Sequence, residues 1–406
     1  MILCKGEISI KHLVSSIMKN DINELLSRGV EEVIERNSLE RKLLSGKKLR
    51  IKLGIDPTSP SIHLGRAVVL WKLRAFQDLG HKIIFIVGDF TGLIGDTSDK
   101  ESERPMMTEK QVKTNMKTYF DQAFKILDKS KTEAHYNSKW LKKLGFKEVG
   151  ELADLFGLRE FEAREVINRR IKSGKRVSVR ELLYPLMQGY DSVMVKADVE
   201  LGGTDQRYNL LAGRVIQKHF RKKPQDILMT TLLEGLDGRK MSSSWGNTIN
   251  LTDTSDEMFG KVMSLSDDLM RKYFLLASNL SQEEINSILI SNKNPRDIKT
   301  RLAFEIVALY HGKIKADIAR NNFDRKFGKS KGAIQADFTL SKKSGNHPII
   351  DLLTESHLAS SKSEARRKIK EGAVEVDKKK VTDTNAQVKI SKGSLVRLGK
   401  RFVEIK

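Results

Sequence analysis

The residues best suited to chemistry in this chain are charged and polar side chains at glycine-rich junctions between predicted strands and helices. The first junction, "GIDPTSPSIHLGRAVVLWKLRAF" over 54–76, carries His63, Gly65 and Arg66 directly ahead of an apolar helix. His63 and Arg66 are three residues apart and therefore share one helical face. The helix N-terminus adds unpaired backbone N–H groups, and Gly65 permits close approach of a ligand. The stretch predicts a triphosphate site, although taken alone it is equally typical of an ordinary capped helix.

A second junction, "GDFTGLIGDTSDKESER" over 88–104, combines three glycines with an acidic and a basic cluster. Asp96 has the charge to hold an amine, whereas Lys100 and Arg104 have the charge and the donors to hold a phosphate. Glycine spacing alone is weak evidence for a ligand, because loops are generally rich in glycine.

Polar side chains also interrupt the apolar stretch "LLYPLMQGYDSVMV" over 182–195. Tyr184, Gln188 and Asp191 follow one another at helical spacings of four and three. Polar groups on an apolar helix are either exposed to solvent or aimed into a polar pocket, because burying them unpaired is costly. This stretch alone leaves both interpretations open.

A fourth junction, "ELGGTDQRYN" over 200–209, has the composition of a nucleoside site. Gly203 ends a predicted strand, so a base can contact the backbone there. Asp205 can accept hydrogen bonds from ribose hydroxyls, and Gln206 adds an amide beside it.

The most specific string is the loop "GLDGRKMSSSWGN" over 235–247. Its glycines predict flexibility, and Lys240, Met241 and Ser243 belong to a Lys-Met-Ser-Ser-Ser run that is rare by chance. Such a loop can fold over phosphates as a lid.

The elements that must position these groups alternate between strand and helix. Residues 1–47 have the Leu, Val and Ile spacing of an amphipathic helix. Buried strands are predicted over 49–55, 81–90 and 226–235. This order predicts a doubly wound, parallel α/β nucleotide-binding domain of Rossmann-like type over 48–250, in which ligands bind at the carboxyl ends of the strands.

The remaining stretches predict three further parts. The charged helical residues 141–197 are interpreted as an insertion between sheet elements, and 251–330 as a helical domain. Residues 331–346 are polar and rich in Gly, Ser and Lys, which indicates a linker. Residues 347–406 combine helical and alternating patterns and predict a small α+β domain.

The tail has a charge pattern of its own. Residues 347–406 contain fourteen Lys and Arg against eight Asp and Glu. Lys362, Arg366, Arg367 and Lys370 lie on one short predicted helix, which suits phosphate contacts with structured RNA. A solvated surface helix is the alternative.

The whole composition favours a polyanionic partner. The 406 residues have a formal net charge of +22, which indicates nucleic acid ahead of a membrane surface. One cysteine, Cys4, excludes an intrachain disulfide framework. No apolar run approaches the ~20 residues of a membrane span, and the start lacks the features of a signal peptide. We therefore expect a cytoplasmic protein without a membrane partner.

Taken together, these motifs resemble those of the class I aminoacyl-tRNA synthetases. "HLGR" stands where that class carries its HIGH signature, and "KMSSS" where it carries KMSKS. Within the class, the chain is similar to the bacterial tyrosyl-tRNA synthetases in "GIDPTSPSIHLG", "GDFTGLIGD", "YPLMQGYDS", "LGGTDQ" and "GLDGRKMS", in this order over nearly the whole chain. Residues 347–406 resemble the ribosomal-protein type RNA-binding domain at the end of many of these enzymes.

The resemblance implies an activity. ATP and L-tyrosine would form tyrosyl-adenylate and pyrophosphate, and the tyrosyl group would then pass to the 3′ end of tRNA(Tyr). It implies Mg²⁺ that accompanies ATP without a dedicated protein metal site, and a homodimer formed through the insertion at 141–197. Tyrosine, ATP and tRNA(Tyr) are the implied partners, and DNA is not one.

The resemblance also implies residue roles, by position in the matching motifs. Asp96, Tyr184 and Gln188 would hold the tyrosine ammonium, Asp191 would face its hydroxyl, and Asp205 and Gln206 would lie near the ribose and the activated carboxyl group. The implied sets are Thr58, His63, Arg66, Lys100, Arg104, Lys240 and Ser243 for the phosphates; His63, Gly65, Gly203, Asp205, Lys240 and Met241 for ATP; and Asp56, Asp96, Tyr184, Gln188, Asp191 and Gln206 for tyrosine.

Three positions depart from the pattern of the family. Arg66 replaces the second signature histidine, and Ser243 replaces the second lid lysine. Arginine has a permanent charge and a longer reach, so we hypothesise that Arg66 offsets the lysine missing at Ser243. Lys52 stands where some of these enzymes have a tyrosine that touches the substrate hydroxyl.

Three alternatives remain open from the sequence. A tryptophanyl-type synthetase shares the class signatures, although Asp191 and "YPLMQGYDS" argue against it. An RNA-binding protein derived from a synthetase but without catalysis would explain the departures at Arg66 and Ser243. A nucleotidyl transferase would share the His-x-Gly turn but would not explain the RNA-type tail.

Overall fold

A computed structural model gives the structure of the chain and describes residues 20–97, 105–291, 294–327, 338–399 and 401–406. The chain divides into two compact units, residues 1–317 and 318–406. The predicted α/β fold, with helices and a small C-terminal α+β part, is confirmed.

A six-stranded sheet forms the centre of the first unit. Its strands are β1 (Val30–Ile34), β2 (Arg50–Ile55), β3 (Lys82–Val87), β4 (Thr132–Tyr136), β5 (Val199–Gly203) and β6 (Asp226–Thr230), in the spatial order β1-β6-β5-β2-β3-β4. All neighbours are parallel except β1, which runs antiparallel to β6. Counted along the chain, the parallel strands lie in the order 3-2-1-4-5, so the winding reverses between β2 and β5.

The central strands are apolar because both faces of the sheet are covered. Residues 83–87 are fully buried along β3, as continuous Ile, Phe and Val runs of parallel sheets usually are. The predicted strand over 226–235 is shorter in the structure and ends at Thr230, where the chain turns into the wall of a pocket.

Helices cover both faces of this sheet and fill the rest of the first unit. They are α1 (residues 20–27), α2 (Arg36–Leu44), α3 (Leu64–Asp78), α4 (Thr91–Ile94), α5 (Glu109–Met116), α6 (Tyr119–Ala123), α7 (Ser138–Leu141), α8 (Phe146–Ala153), α9 (Leu158–Glu162), α10 (Glu165–Lys172), α11 (Val179–Met194), α12 (Arg207–His219), α13 (Ser255–Met263), α14 (Met270–Ala277), α15 (Gln282–Ile290), α16 (Pro295–His311) and α17 (Lys313–Phe327), the last of which contains the boundary at 317. Single 3₁₀ turns lie at Lys129–Lys131, Thr204–Gln206, Ser243–Trp245 and Asp267–Leu269.

The prediction of one amphipathic helix over 1–47 is wrong in its middle. Residues 1–19 lie outside the described residues, and α1 and α2 are separated by the strand β1. The segment "VEEVI" is too short for its periodicity to separate strand from helix, and its pairing with β6 decides the outcome.

Helix α11 carries three of the predicted site residues and is held firmly. Ser178 and Glu181 form a capping box at its N-terminus, so two backbone N–H groups are satisfied there. Gly189 allows close packing on α12, because a Cβ at this position would lie 2.6 Å from the Ile216 side chain. These contacts fix the direction in which α11 presents Tyr184, Gln188 and Asp191.

The second unit is a small α+β assembly. It contains β7 (Phe338–Leu340), β8 (Gly345–Pro348), α18 (Ile349–Glu355), α19 (Lys362–Lys370), β9 (Val374–Val376), β10 (Lys379–Val381), β11 (Gln387–Ile390), β12 (Leu395–Leu398) and β13 (Arg401–Ile405). Five strands form one sheet in the order β10-β9-β12-β13-β7, and β11 pairs with β8. An apolar core that includes Ile349, Leu353 and Val403 lies under these elements.

The interpretation of 331–346 as a linker is wrong for its C-terminal part. β7 and the start of β8 fall inside it, and β7 pairs in parallel with β13. β7 has only three residues, too few for a strand period to show in the sequence, and it is found by its pairing at the edge of the sheet. Among the described residues, no helix is long and apolar enough to cross a membrane.

Candidate active site

One pocket lies at the carboxyl ends of β2, β5 and β6, where the winding of the sheet reverses. Its cavity of about 350 Å³ is in the size range of small-molecule sites. Fourteen of the predicted residues line it: Asp56, Thr58, His63, Gly65, Arg66, Asp96, Tyr184, Gln188, Gly203, Asp205, Gln206, Lys240, Met241 and Ser243. Five separate motifs of the sequence therefore meet in one place.

The acidic side of the pocket is built around Asp56, which follows β2. Thr91 donates a hydrogen bond to one carboxylate oxygen at 2.7 Å, and the Tyr184 hydroxyl donates to the other at 2.9 Å. Burial raises the pKa of Asp56 to about 6, although these two hydrogen bonds oppose the rise. Gly88 is required beside it, because a Cβ there would lie 2.1 Å from the Asp56 carboxylate.

A second carboxylate, Asp96, lies on the same side. The Gln206 amide donates to it at 2.7 Å, and Asn209 in turn donates to the Gln206 carbonyl oxygen at 3.0 Å. Burial, together with the charges of Asp56 and Asp96, raises the pKa of Tyr184 well above its usual range, so this phenol stays a donor. Two carboxylates and a fixed phenol suit the binding of an ammonium group.

The cationic part of the pocket begins with His63, which caps helix α3. Its Nδ1 accepts a hydrogen bond from the Arg66 backbone N–H at 3.3 Å, so the ring proton resides on Nε2. Burial, together with the nearby cations Arg66 and Lys240, lowers the pKa of His63 to about 3. The ring is therefore neutral near pH 7 and offers one N–H donor.

Arg66 is held in place by two hydroxyl groups. Its guanidinium donates to the Tyr119 hydroxyl at 2.7 Å and to the Thr58 hydroxyl at 3.0 Å. Tyr119 is fully buried, so this contact anchors the arginine from behind. Both partners are neutral, and the positive charge stays available to an anion.

The predicted lid contacts the first junction directly. The Ser243 hydroxyl lies 3.0 Å from the Ser59 hydroxyl, and the Gly65 N–H contacts the Met241 sulfur at 3.3 Å. Lys240 forms an ion pair with Asp205 at 2.8 Å. The residue predicted for phosphate and the residue predicted for ribose are thus bonded to each other in this structure.

Asp191 lies behind the pocket rather than in its wall. Trp140 donates to one carboxylate oxygen at 2.6 Å, and Asn137 donates to the other at 3.2 Å. Burial raises the pKa of Asp191 to about 7, although the Lys52 charge and both hydrogen bonds oppose the rise. Its carboxylate still has lone pairs for a further donor.

Lys52 also lies outside the pocket wall, and it is fully buried. Its ammonium group contacts Glu200 at 2.8 Å rather than pointing into the cavity. Lys100 and Arg104 lie outside the described residues, so their predicted roles stay predictions.

In the second unit, α19 exposes the four predicted RNA contacts. Lys362, Arg366, Arg367 and Lys370 are exposed, whereas Ala365 and Ile369 face the core.

Sequence reasoning missed the side chains that hold the site residues. These are Thr91, which donates to Asp56; Tyr119, which holds Arg66; Asn137 and Trp140, which hold Asp191; and Glu200, which pairs with Lys52. Thr91 lies inside the second junction, "GDFTGLIGDTSDKESER", so its role could have been predicted from that motif. Glu200 likewise opens the fourth junction, "ELGGTDQRYN", whereas Tyr119, Asn137 and Trp140 lie in stretches without motif signals.

Comparisons with known proteins give the family. A family model described as tRNA synthetases class I (W and Y) matches residues 44–328. A second, described as the Tyrosine--tRNA ligase SYY-like C-terminal domain, matches residues 334–403.

Relatives of known function are similar to this chain over nearly its full length and theirs. A tyrosine--tRNA ligase of Legionella pneumophila (strain Lens) is 44% identical over 95% of this chain and 98% of its own. Tyrosine--tRNA ligase 2 of Vibrio vulnificus (strain YJ016) is 46% identical over 93% of this chain and 95% of its own.

Solved structures support only the fold of this chain, because their sequence identity to it is low. A C-terminally truncated mitochondrial tyrosyl-tRNA synthetase of Aspergillus nidulans has a TM-score of 0.65 at 22% identity, over 77% of this chain and 97% of that one. A tyrosyl-tRNA synthetase of Archaeoglobus fulgidus complexed with L-tyrosine has a TM-score of 0.59 at 23% identity, over 75% of this chain and 99% of that one. With a class I model over most of the chain and full-length relatives that share two-fifths of its residues, the chain belongs to the tyrosyl-tRNA synthetases.

Proposed function

We propose that this chain activates L-tyrosine with ATP and transfers the tyrosyl group to tRNA(Tyr), and that the pocket at the switch point of the sheet is where both steps occur. One observation carries the proposal. Carboxylates suited to an amine and cations suited to phosphates come from separate motifs, yet they line one cavity.

The acidic side is the proposed tyrosine subsite. Asp96, Tyr184 and Gln188 bind the ammonium group, with Asp56 holding the Tyr184 hydroxyl in place. Asp191 accepts from the substrate hydroxyl through its remaining lone pairs. Phenylalanine would leave this buried carboxylate without that donor, and tyrosyl-tRNA synthetases are the established example of such discrimination.

The cationic side is the proposed ATP subsite. The tyrosine carboxylate attacks the α-phosphorus and pyrophosphate leaves, so negative charge gathers on the leaving group. His63, Arg66 and Lys240 are donors aimed at that charge, and no side-chain nucleophile is needed. Catalysis then rests on alignment of the two substrates and on charge stabilisation.

The resident ion pair must open for this step. Asp205 bonds Lys240 at 2.8 Å, whereas ATP would give Asp205 a ribose hydroxyl and Lys240 a phosphate. Binding of ATP therefore replaces one ion pair by two charge-assisted contacts.

Mg²⁺ is proposed as a companion of the ATP phosphates. The described residues contain no group of three or more His, Cys, Asp or Glu side chains arranged to hold a metal. Asp56 and Asp205 in the pocket already accept hydrogen bonds from Tyr184 and Lys240. This donor set fits an ion that keeps waters and binds mainly through phosphate oxygens, and its role is to neutralise the leaving pyrophosphate.

The other partners follow from surface features. The exposed cations of α19 are proposed to bind phosphates of tRNA(Tyr). Large apolar side chains are exposed in the 141–197 segment, namely Phe146, Leu158, Ile171, Val179 and Met194, and we propose that this segment forms a homodimer interface. A cytoplasmic location is proposed from the single cysteine.

ATP–pyrophosphate exchange tests the proposed activity. Label should pass from pyrophosphate into ATP when L-tyrosine is present, and L-tryptophan should neither replace tyrosine nor compete with it. Exchange that depends on tryptophan, or no exchange with either amino acid, would refute the assignment.

A further inference from the structure

A buried ion pair lies directly under the tyrosine subsite. Lys52 on β2 and Glu200 on β5 are register partners across the two strands where the winding reverses. Past this pair, β2 continues through Leu53 and β5 through Leu201, and both of these residues line the pocket. The ion pair therefore lies at the base of the pocket, one residue before Leu53 and Leu201 of the pocket wall.

Every proton of the Lys52 ammonium group has a partner within the protein. Nζ contacts Glu200 Oε1 at 2.8 Å, the Gln188 carbonyl oxygen at 2.7 Å and the Ser192 hydroxyl at 2.7 Å. An ammonium group has three donors, so none is left for a ligand. Lys52 therefore does not replace the substrate contact that a tyrosine makes at this position in some relatives.

Glu200 uses both carboxylate oxygens in the same way. Oε1 accepts from the Gln188 side-chain amide at 3.1 Å in addition to Lys52. Oε2 accepts from the Ser192 hydroxyl at 3.0 Å and from the Gln225 amide. Both charged side chains are fully buried, so the donors of Ser192 and Gln225 replace water around the Glu200 carboxylate.

The contact with Glu200 decides which way the Gln188 amide points. A carboxylate can only accept, so the amide atom that faces Glu200 must be the NH₂ group. The amide is planar, and its oxygen is then the atom that faces away from Glu200, toward the cavity that Gln188 lines. A carbonyl oxygen there can accept from an ammonium group, whereas an NH₂ group would oppose it.

We infer that Lys52 and Glu200 are positioning residues for substrate recognition, because they fix the Gln188 amide so that it presents its oxygen to the tyrosine ammonium. Lys52 additionally bonds the main-chain carbonyl of Gln188 and so ties down its helix as well as its side chain. The inference rests on the proposed function, since it assumes that the amino acid binds on this side of the pocket.

There is a physical reason why an ion pair, rather than a neutral pair of side chains, holds the Gln188 amide. A neutral partner such as an amide can accept or donate, so it would allow Gln188 to turn over. A carboxylate enforces one orientation, but a lone buried carboxylate is costly. Lys52 offsets that cost in a place where neither side chain reaches water.

The central test replaces the pair by apolar side chains. Lys52→Met/Glu200→Met avoids a lone buried charge and should still fold. Loss of an oriented contact to a charged group predicts a rise of about tenfold or more in KM for tyrosine in the exchange reaction. KM for ATP should stay within about twofold, since the ATP subsite does not touch the pair.

Two further variants separate orientation from stability. Lys52→Met/Glu200→Gln restores an acceptor of the same size but no longer enforces one orientation of Gln188, so it should recover only part of the affinity for tyrosine. Glu200→Asp keeps the ion pair but withdraws its carboxylate by one methylene, so it should raise KM for tyrosine while preserving the fold. Lys42→Met/Asp226→Leu removes another buried pair, 2.7 Å long, in the same unit, and should lower the melting temperature without affecting KM for tyrosine.

Two inhibitors locate the defect on the ligand. Tyrosinol keeps the ammonium group, and its inhibition constant should rise in parallel with KM for tyrosine in Lys52→Met/Glu200→Met. 3-(4-Hydroxyphenyl)propanoate lacks the ammonium group, and its inhibition constant should not change. Equal loss of both inhibitors, unchanged KM for tyrosine, or a matching rise in KM for ATP would overturn the inference. Absence of tyrosine-dependent exchange in the wild type would instead refute the proposed function.

Discussion

Substitution of Arg66 by histidine tests whether this arginine offsets the lysine missing at Ser243. In the structure the guanidinium spans from the buried Tyr119 hydroxyl to the Thr58 hydroxyl at the pocket wall. An imidazole is shorter and cannot make both contacts. Arg66→His therefore removes a fixed positive charge from the part of the pocket proposed for pyrophosphate and leaves the Tyr119 hydroxyl without its donor.

The expected loss follows from the kind of interaction that is removed. A positioned donor to charge that develops in the transition state contributes about 2.7–4 kcal/mol, or about 10²–10³ in rate. Histidine keeps one N–H donor, so we expect the lower end, about a hundredfold in the exchange rate. Much of this loss should appear in kcat, since the charge on pyrophosphate grows only as the bond breaks.

A double-mutant cycle supplies the decisive assay. Ser243 is partly exposed at the edge of the pocket, so a lysine there can reach a phosphate. If Arg66 replaces that lysine, Ser243→Lys should restore about tenfold or more in the Arg66→His background but gain little in the wild type. Arg74→His is the matched control, because Arg74 lies on the same helix and pairs with Asp78 outside the pocket. Exchange by Arg66→His within about twofold of wild type, or an equal effect of Ser243→Lys in both backgrounds, would refute compensation.

Three further outcomes can be measured. The kcat/KM for tyrosine should rise with pH and level off above about 7, where Asp191 ionises. Because the folded pKa of Asp191 exceeds the usual 3.8, the free energy of unfolding should fall as pH rises from 3.8 to about 7. Asp191→Asn should flatten that fall in denaturation experiments. Arg170→Met should lower the free energy of unfolding by about 3–5 kcal/mol, since it strands the buried Glu181 carboxylate 2.6 Å away, and Arg170→Met/Glu181→Gln should regain most of it; a loss under about 1 kcal/mol would contradict this. Deletion of 336–406 should spare exchange but weaken tRNA charging and its salt dependence, and undiminished charging would contradict the role of the second unit.

The sequence predicted that side chains of four motifs would meet, because these motifs follow strands, whereas the remaining motif lies on helix α11. Parallel strands bring their carboxyl ends to one edge, so Asp56 after β2 and Asp205 after β5 had to converge there. The apolar helix predicted after the first junction is α3, and His63 is its N-cap rather than a residue of its face. These predictions depend on topology and on short-range geometry, both of which the periodicity of the chain encodes.

The partners of those side chains could not be predicted in the same way. Tyr119 is 53 residues from Arg66, and Trp140 is 51 residues from Asp191. Each is a buried aromatic residue of a short helix, a position that ordinarily belongs to the core, and nothing local shows that its polar end reaches a distant site. Lys52 was noticed as unusual, but its meaning depends on Glu200 in the next strand of the sheet rather than the next in the chain.

Arg66 and Lys240 differ in the free-energy cost of leaving their present partners, and we expect this difference to decide which of them contacts an anion first. Arg66 is held by neutral hydroxyl groups, so its charge is exposed to an anion before any bond breaks. Lys240 is held by the Asp205 carboxylate, and moving it to a phosphate strands a negative charge unless Asp205 gains a donor at the same time. Pyrophosphate alone offers Lys240 a partner and Asp205 none, whereas ATP offers a phosphate and ribose hydroxyls together. On the proposed function, we therefore expect the ion pair to favour the complete nucleotide over its leaving group, with Arg66 as the first contact for either.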